Sequence, residues 1–299
     1  MIDVLLATYN GEKYLETQLY SLLWQTHKDW RLIVHDDGST DTTVAVIKNF
    51  QKIDNRIILI EDGIKCAGAA KNFLHLLSMP SDSEYFIFCD QDDIWFEGKL
   101  EELYKIIKDV DQPAAAYCNA YLYNGKKIIA DKVTYFNRNS LENSLFLNSG
   151  VQGCSLIFNR KLKEKLTCCP DYVCMHDHLV TIAAVTFGRL LHTDLSLMLY
   201  RQHEQNVTGN IKPSLQDRFR SFINRNHSVI DLNHFKANRS FYNLYKSDLT
   251  EQQIKLFKAY FDYPNKKLLQ RMNIVRRNSF AIGNSKTVLL LKTLIRRPI

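Results

Sequence analysis

No apolar run in this 299-residue chain approaches the roughly 18 residues that a membrane-spanning helix needs. The N-terminus, Met1-Ile2-Asp3-Val4-Leu5-Leu6, has no basic stretch ahead of an apolar one, so no signal peptide is expected. The seven cysteines are odd in number and contain no CxxC pair. They read as reduced packing thiols of a cytosolic protein rather than a disulfide framework. Glycine and proline are few, at 11 and 6, which excludes collagen-like repeats; with 45% hydrophobic and 24% charged side chains, disorder is excluded too. There is no GxGxxG fingerprint, no GxxxxGK[ST] phosphate loop and no GxSxG elbow. Dinucleotide, P-loop and serine-hydrolase readings therefore lose their usual signatures.

What is present is a regular alternation. Val4-Leu5-Leu6-Ala7, Leu32-Ile33-Val34, Ile57-Ile58-Leu59-Ile60 and Tyr85 to Cys89 are short apolar runs. Between and after them lie helical spacings: Leu15, Leu19, Leu22 and Leu23; Val44 and Ile47; Phe73, Leu74 and Leu77; Leu100, Leu103, Ile106 and Ile107. The runs are too apolar for one-sided exposure, so the order implies a mainly parallel α/β sheet flanked by helices. Beyond Pro113 a hairpin is expected over Ala114–Tyr123 and Lys126–Val133. A strand over Ser155–Phe158, a helix over about Asp177–Phe187 and two strands near Leu190 and Leu197 follow. From about residue 211 only helical patterning remains.

Charge divides the chain at the same place. Residues 1–210 carry 21 basic and 27 acidic side chains, residues 211–299 carry 18 and 5. Two regions are expected: a catalytic one over 1–210 and a basic helical extension over 211–299. In the extension, Arg276-Arg277, Lys286, Lys292 and Arg296-Arg297 surround Val288 to Leu291 and Leu294-Ile295. Short apolar and basic elements together suit attachment to an anionic membrane surface. No nucleic-acid motif accompanies the charge, so no nucleic-acid partner is expected.

Ligands of open parallel sheets bind beyond the carboxyl ends of the strands. Those ends here are Thr8-Tyr9-Asn10-Gly11, Asp36-Asp37-Gly38-Ser39 and Asp90-Gln91-Asp92-Asp93. In an extended chain Asp90 and Asp92 point to one side, and two unpaired carboxylates on one face repel. A divalent cation, Mn²⁺ or Mg²⁺, offsets that repulsion and keeps room for phosphate oxygens. One helix cap accounts for Ser39 or Asp41 but not for Asp36 and Asp37 together, which suggests a ribose or base contact. Cys168, Cys169, Cys174, His176 and His178 bunch along the chain, but their spacing matches no common zinc pattern, and packing thiols are the better account.

In order and spacing, Thr8-Tyr9-Asn10-Gly11, Asp36 to Asp41, Lys71-Asn72, Asp90 to Trp95, Gly153-Cys154-Ser155, His176-Asp177-His178 and Tyr200 to Val207 resemble family 2 glycosyltransferases. The fold of that family is GT-A, and the likeness is greatest to its bacterial rhamnosyltransferase-like branch. It covers about residues 1–210 and extends more weakly to the C-terminal helices.

The resemblance implies an inverting, metal-dependent transfer of a sugar (rhamnose, galactose or glucose) from a nucleotide-sugar, UDP- or dTDP-linked. The acceptor it implies is a hydroxyl of a growing, lipid-linked bacterial surface polysaccharide. Thr8, Tyr9, Asn10, Glu12, Asp37, Lys71, Asp90, Gln91 and Asp92 would bind the donor. Asp92, Asp90 and His203 would hold the metal, and Asp177 would be the catalytic base. Trp95, Asp93 and His176 would meet the acceptor. The implied location is cytoplasmic, on the inner face of the membrane. Two departures stand out: Cys66 where the family often has Asn, and His176-Asp177 where it often has Glu-Asp. A non-catalytic nucleotide-sugar-binding or membrane scaffold protein is the alternative from another class, and donor hydrolysis or transfer separates the two. A nucleotidyltransferase lacks its glycine-rich, basic loop after the first strand.

Overall fold

The structure, a computed structural model, describes residues 1–136, 138–203, 220, 222 and 224–299. The change of pattern expected at residues 210 and 211, and residues 204–207 of the last motif, lie outside these. The chain forms two compact units: Met1–Thr134 with Val151–Thr167 and Leu191–Gly209, and Tyr135–Gly150 with Cys168–Leu190 and Asn210–Ile299.

The four leading apolar runs are strands β1 (Ile2–Thr8), β2 (Trp30–Asp36), β3 (Ile57–Ile60) and β4 (Tyr85–Cys89). They pair in parallel in the order β3-β2-β1-β4. Val4, Leu5 and Leu6 are all buried, so both faces of β1 are covered. The covering helices are α1 (Leu15–Leu23), α2 (Thr43–Ile53), α3 (Ala69–Ser78) and α4 (Lys99–Ile107); each buries most of the face expected from its spacing, with Leu23, Val44, Leu74 and Ile106 at its half-buried edge. Register then levels the strand ends. Thr8 stands opposite Asp36 and Leu6 opposite Cys89, so the three polar segments emerge side by side.

The far half of the sheet turns antiparallel. After a two-residue strand β5 (Ile94–Trp95) come β6 (Ala114–Tyr123) and β7 (Ile128–Ala130), the expected hairpin. The short helix α5 (Leu141–Ser144) precedes β8 (Leu156–Asn159), which lies between β4 and β6. Helices α6 (Arg160–Lys165) and α7 (His176–Phe187) follow, then β9 (Arg189–Arg201). The two strands expected near Leu190 and Leu197 are thus one. Strand β5 was not expected at all, and it pairs with β9 through Ile94 opposite Leu199.

The second unit contains α5, α7 and the helices α8 (Leu232–Tyr245), α9 (Glu251–Asp262), α10 (Leu268–Arg277) and α11 (Lys286–Ile295). Its centre is aromatic. The Phe146 ring meets Tyr260, Tyr263 and Phe280 at centroid distances of 5.2, 5.0 and 5.0 Å. Helix α9 starts on a capping box in which Thr250 and Gln253 satisfy each other's backbone amides. The apolar stretch of α11 is divided: Leu289 is fully buried while Leu291 and Leu294 are exposed. No helix among the described residues is long and apolar enough to cross a membrane.

The packing reading of the cysteines holds for Cys89, Cys118 and Cys154, which are buried; Cys168 and Cys169 are exposed and do not pack.

At the opposite end of the sheet from the strand tips, the buried Asp3 carboxylate gathers four donors. Arg31 Nε lies at 2.6 Å, Arg31 Nη2 at 3.3 Å, and the Ser81 and Ser83 hydroxyls each at 2.6 Å. Asp3→Ala leaves the serine hydroxyls and a quarter-exposed guanidinium without their acceptor. Urea unfolding should show a loss of about 2–3 kcal/mol, with the folded protein's ligand affinities unchanged.

Candidate functional site

The loops after β1 and β2 are fastened to each other by their own polar side chains. Asn10, at φ +47°, receives its place from Ser39, whose Oγ accepts the Asn10 amide at 2.8 Å. Asn10 Oδ1 in turn accepts the Thr40 amide at 2.9 Å. The Gly11 amide donates to Thr43 Oγ1 at 2.7 Å, and Glu12 Oε2 accepts both the Thr42 amide and hydroxyl, at 3.0 and 2.7 Å. Gln91 performs the same task toward β4. Its Oε1 accepts the Tyr9 amide at 2.9 Å and its Nε2 donates to the Tyr9 carbonyl at 3.0 Å. A Cβ on Gly11 would lie 2.3 Å from that Oε1, so a larger residue there would displace the Gln91 amide from Tyr9.

The acids of the second loop have structural partners, which corrects the expectation that the turn could not account for both. Asp36 Oδ1 accepts the Gly38 and Ser39 amides at 3.1 and 2.7 Å, and Oδ2 accepts the Thr8 and Ser39 hydroxyls at 2.8 and 2.6 Å. Asp37 accepts the amides of Cys66, Ala67 and Gly68 at 2.5, 3.1 and 2.8 Å, holding the loop between β3 and α3. Asp41 accepts the Thr43 amide at 3.0 Å and so satisfies the first turn of α2. Of the residues expected to bind a donor, Thr8 is buried, while Tyr9, Asn10, Glu12 and Lys71 are exposed. Lys65 was not singled out by sequence, yet it lies over this turn: a Cβ on Gly38 would be 3.0 Å from its Cε.

Beyond β4 the chain does not stay extended. It turns at Gln91 and Asp92, so the alternation argument for Asp90 and Asp92 fails. The turn nonetheless crowds the carboxylates. Asp93 is fully buried, and its carboxyl is pushed well above the usual range, by burial first and then by the charges of Asp92 and Asp90. Asp93 Oδ1 accepts the Arg201 amide at 3.0 Å; Oδ2 has no hydrogen-bond partner among the described residues.

The β5–β9 pairing carries this turn to the end of β9. Asp92 O accepts Arg201 Nε at 2.7 Å, and two residues further His203 Nε2 meets Asp92 Oδ2 at 2.7 Å. The His203 ring stacks on Tyr14 at 4.9 Å, and the Arg201 guanidinium lies 4.7 Å from the same ring. Sequence reasoning missed Tyr14 and Arg201. Arg201 could have been found, because it sits inside a motif already noted and its charge matches the acids. Tyr14 carries no such signal.

Among the described residues, Asp92 and His203 bring a carboxylate oxygen and an imidazole nitrogen together, whereas the donor atom of Asp90 groups with those of Asp93 and Cys154, so the three residues expected to hold a metal do not converge as one set. The oxygens and imidazole that they offer are nonetheless of the right type. That chemistry suits Mg²⁺ or Mn²⁺.

The residues expected to meet an acceptor are buried in this structure: Asp93 and Trp95 at 0 and 3% exposure, His176 at 4%. None of the three offers an acceptor a surface here. Trp95 is a core side chain lying beneath the charge of Lys99, whose Nζ is 3.5 Å from the ring. Desolvation holds His176 down to about 3, so its imidazole is neutral.

In the second unit, Asp177 is the second residue of α7. It does not cap the helix, because Met175 occupies that position. Its Oδ1 accepts the His178 amide at 2.6 Å. Burial raises its carboxyl to about 6, opposed by that amide and by Arg138, so it is ionised at neutral pH yet unusually basic. Gly150 is required beside it, since a Cβ there would fall 2.6 Å from the His178 backbone nitrogen.

A separate cleft of about 440 Å³ lies at the other end of β4, lined by Glu84, Tyr85, Lys161 and neighbours. It is removed from the acidic strand ends, and its walls are tied by ion pairs such as Arg160 with Glu84.

Known proteins resemble this chain in sequence or in fold. The dTDP-rhamnosyl transferase RfbG of Shigella flexneri is 31% identical over 219 residues, 68% of this chain and 73% of that protein. The UDP-Glc:alpha-D-GlcNAc-diphosphoundecaprenol beta-1,3-glucosyltransferase WfgD of Escherichia coli is 27% identical over 168 residues, 54% of this chain and 61% of that one. Among solved structures, TarS of S. aureus in complex with UDP-GlcNAc superposes with a TM-score of 0.61 at 18% identity, covering 93% of this chain and 80% of its own; the shared feature is the GT-A fold. A mannosyltransferase of Pyrobaculum calidifontis in complex with GDP-Man and Mn²⁺ gives 0.55 at 15% identity over 98% and 69%. The model of glycosyl transferase family 2 matches residues 3–166, more than half of the chain. With its level strand ends, its acidic turn and these relatives, the chain belongs to glycosyl transferase family 2 and is a glycosyltransferase enzyme.

Proposed function

We propose that the protein transfers a sugar, with inversion and with the help of a divalent cation, from a UDP- or dTDP-sugar to a hydroxyl of a growing, lipid-linked bacterial surface polysaccharide. The observation that carries this reading is the 2.7 Å contact of His203 with Asp92 at the end of the crowded acidic turn. The names of RfbG and WfgD support a nucleotide-sugar donor, and that of WfgD supports a diphospholipid-linked acceptor.

In this reading Asp92, Asp90 and His203 hold Mn²⁺ or Mg²⁺. When bound, the cation neutralises charge on the departing nucleoside diphosphate. Lys71 adds a positive charge on the donor side. Tyr9 and Asn10 face the base from their exposed loop. Asp37 acts through the 66–68 loop that it holds, and Gln91 through the Tyr9 backbone. The acceptor hydroxyl attacks the anomeric carbon from the side opposite the diphosphate. The bond from that carbon to the phosphate oxygen breaks with its electron pair, and the hydroxyl proton passes to Asp177. A carboxylate with an affinity near 6 accepts a proton without needing a strongly basic medium.

The protein is further proposed to attach peripherally to the inner, anionic face of the cytoplasmic membrane. Leu268, Leu269, Leu291 and Leu294 are exposed on α10 and α11, at 38, 79, 42 and 49%, with Arg276, Arg277, Lys286 and Arg297 exposed on and beside the same helices. Apolar side chains amid cations suit a negatively charged lipid surface.

Three measurements check these assignments. Calorimetry with a UDP- or dTDP-sugar should show Mn²⁺-dependent affinity that Asp92→Asn reduces by about tenfold or more, the cost of one charge-assisted ligand. Equal donor affinity with and without Mn²⁺ in the wild type would remove the cation from the mechanism. Asp177→Asn should keep donor affinity within twofold and lose about 10²–10⁴ in transfer rate; full turnover in that variant would exclude it as the base. Co-sedimentation with phosphatidylglycerol vesicles should fall in a Leu268→Ser, Leu269→Ser variant, whereas equal sedimentation would dismiss this face as the point of attachment.

A further inference from the structure

One cluster in the second unit is unrelated to the acidic turn. Cys174, His178 and His234 bring one donor atom each to within 4.8 Å of the other two. Cys174 precedes the cap of α7, His178 is the third residue of that helix, and His234 is the third residue of α8. The two imidazoles meet edge to face, with centroids 4.8 Å apart and planes at 90°. Fifty-odd residues of chain separate the histidines, so only the fold reveals the group.

The hydrogen bonds of the rings decide what they can do. His178 Nε2 meets Asn238 Oδ1 at 3.0 Å. An amide oxygen only accepts, so Nε2 carries the proton and Nδ1 keeps its lone pair. His234 Nδ1 meets Asp231 Oδ1 at 3.0 Å, so the neutral ring carries its proton on Nδ1 and offers its lone pair at Nε2. Both outer partners are themselves fixed. Asn238 is fully buried and donates to the Tyr260 hydroxyl at 3.3 Å, and Asp231 caps α8 through the amides of Asn233 and His234. Each ring thus has one nitrogen anchored by an oxygen and the other left as a ligand, the outer arrangement typical of metal-binding histidines. A thiol stands beside them, and Cys174 and His234 are only partly buried, which gives an ion access.

We propose that Cys174, His178 and His234 form a Zn²⁺ site. One sulfur and two imidazole nitrogens are borderline ligands that favour zinc over the hard cations suited to the acidic turn. Tetrahedral zinc sets such ligands about 3.3–3.6 Å apart, a contraction of at most about 1.5 Å from the separations in this structure, within the reach of side-chain rotation. The fourth position is left for water. The ion would bind the start of α7 to the start of α8. The site is independent of the transferase reading, and its test does not use transfer.

The full chain, stripped with EDTA and dialysed, is titrated with Co²⁺ as a spectroscopic probe. A thiolate-to-cobalt band in the near ultraviolet should appear, disappear in Cys174→Ser, and persist in Cys154→Ser and Cys168→Ser. His234→Ala should weaken cobalt binding about tenfold or more. Absence of the band, or its survival in Cys174→Ser, would overturn the site. The wild type alone gives a second readout that needs no altered fold. With zinc at about ten times its Kd, alkylation of Cys174 should slow about tenfold, because only the free fraction reacts, while Cys168 and Cys169 keep their rates. Unchanged alkylation of Cys174 would refute the proposal.

Discussion

Everything at the carboxyl end of the sheet depends on three carboxylates placed within four residues of one another. Asp90, Asp92 and Asp93 follow directly on five residues of apolar strand, where low dielectric strengthens their repulsion. The protein answers each differently. Asp93 goes into the interior, where its raised proton affinity favours the neutral acid. Asp92 meets the imidazole of His203. Asp90 stays partly exposed at the rim. Such an arrangement lowers the cost of placing three acids in one short segment. In the proposed reading, the acidic rim is where a divalent ion and a diphosphate would meet.

The neighbouring loops are stiff for a related reason. A hydrogen-bond acceptor at a strand end can either wait for a ligand or hold a loop. Asp36, Asp37 and Gln91 hold loops, each by two or more bonds to backbone amides or carbonyls. The exposed residues between them, Tyr9, Asn10 and Glu12, are therefore presented on a frame that does not have to be ordered at the moment of binding. Fixing such a frame in advance removes an entropy cost from association.

Much of this was legible in the chain. The parallel half of the sheet could be read because its strands are unbroken apolar runs and its helices repeat at three and four residues. Strand β5 could not, since two residues carry no period. Strand β9 looked like two strands because its middle, around Asp194, is polar and exposed and interrupts the apolar signal. The acidic segments could be located but their division of labour could not. Whether an Asp faces solvent or a backbone amide is decided by the loop opposite, and the 66–68 loop that occupies Asp37 lies about thirty residues away. Trp95 shows the same limit: an aromatic beside an acidic motif suits a sugar platform or a core, and pairing with β9 puts it in the core. Cys174 and His178 were visible as a local bunching without their third member, His234, since the packing of α8 supplies it.

Beneath the acidic turn lies the feature that sequence hides most completely. Lys99 is wholly buried, with its Nζ 2.6 Å from the Cys154 carbonyl, 3.0 Å from Met198 Sδ and 3.5 Å from the Trp95 ring. Burial lowers its proton affinity, while the nearby charge of Asp93 raises it. The same proximity, in the other direction, lowers that of Asp93. Each group thus limits the cost of burying the other, whatever the position of the proton between them. A lysine in the first turn of α4 reads in sequence as a solvated surface residue, as its neighbours Glu101 and Glu102 suggest. It is instead the floor on which the acidic turn rests: the carbonyl of Cys154 fixes its end, and Trp95 and Met198 exclude water around it. The acidity of the rim and the buried cation are two parts of one electrostatic arrangement, and removing the lower part would leave buried Asp93 facing Asp90 and Asp92 without the charge that lies beneath it.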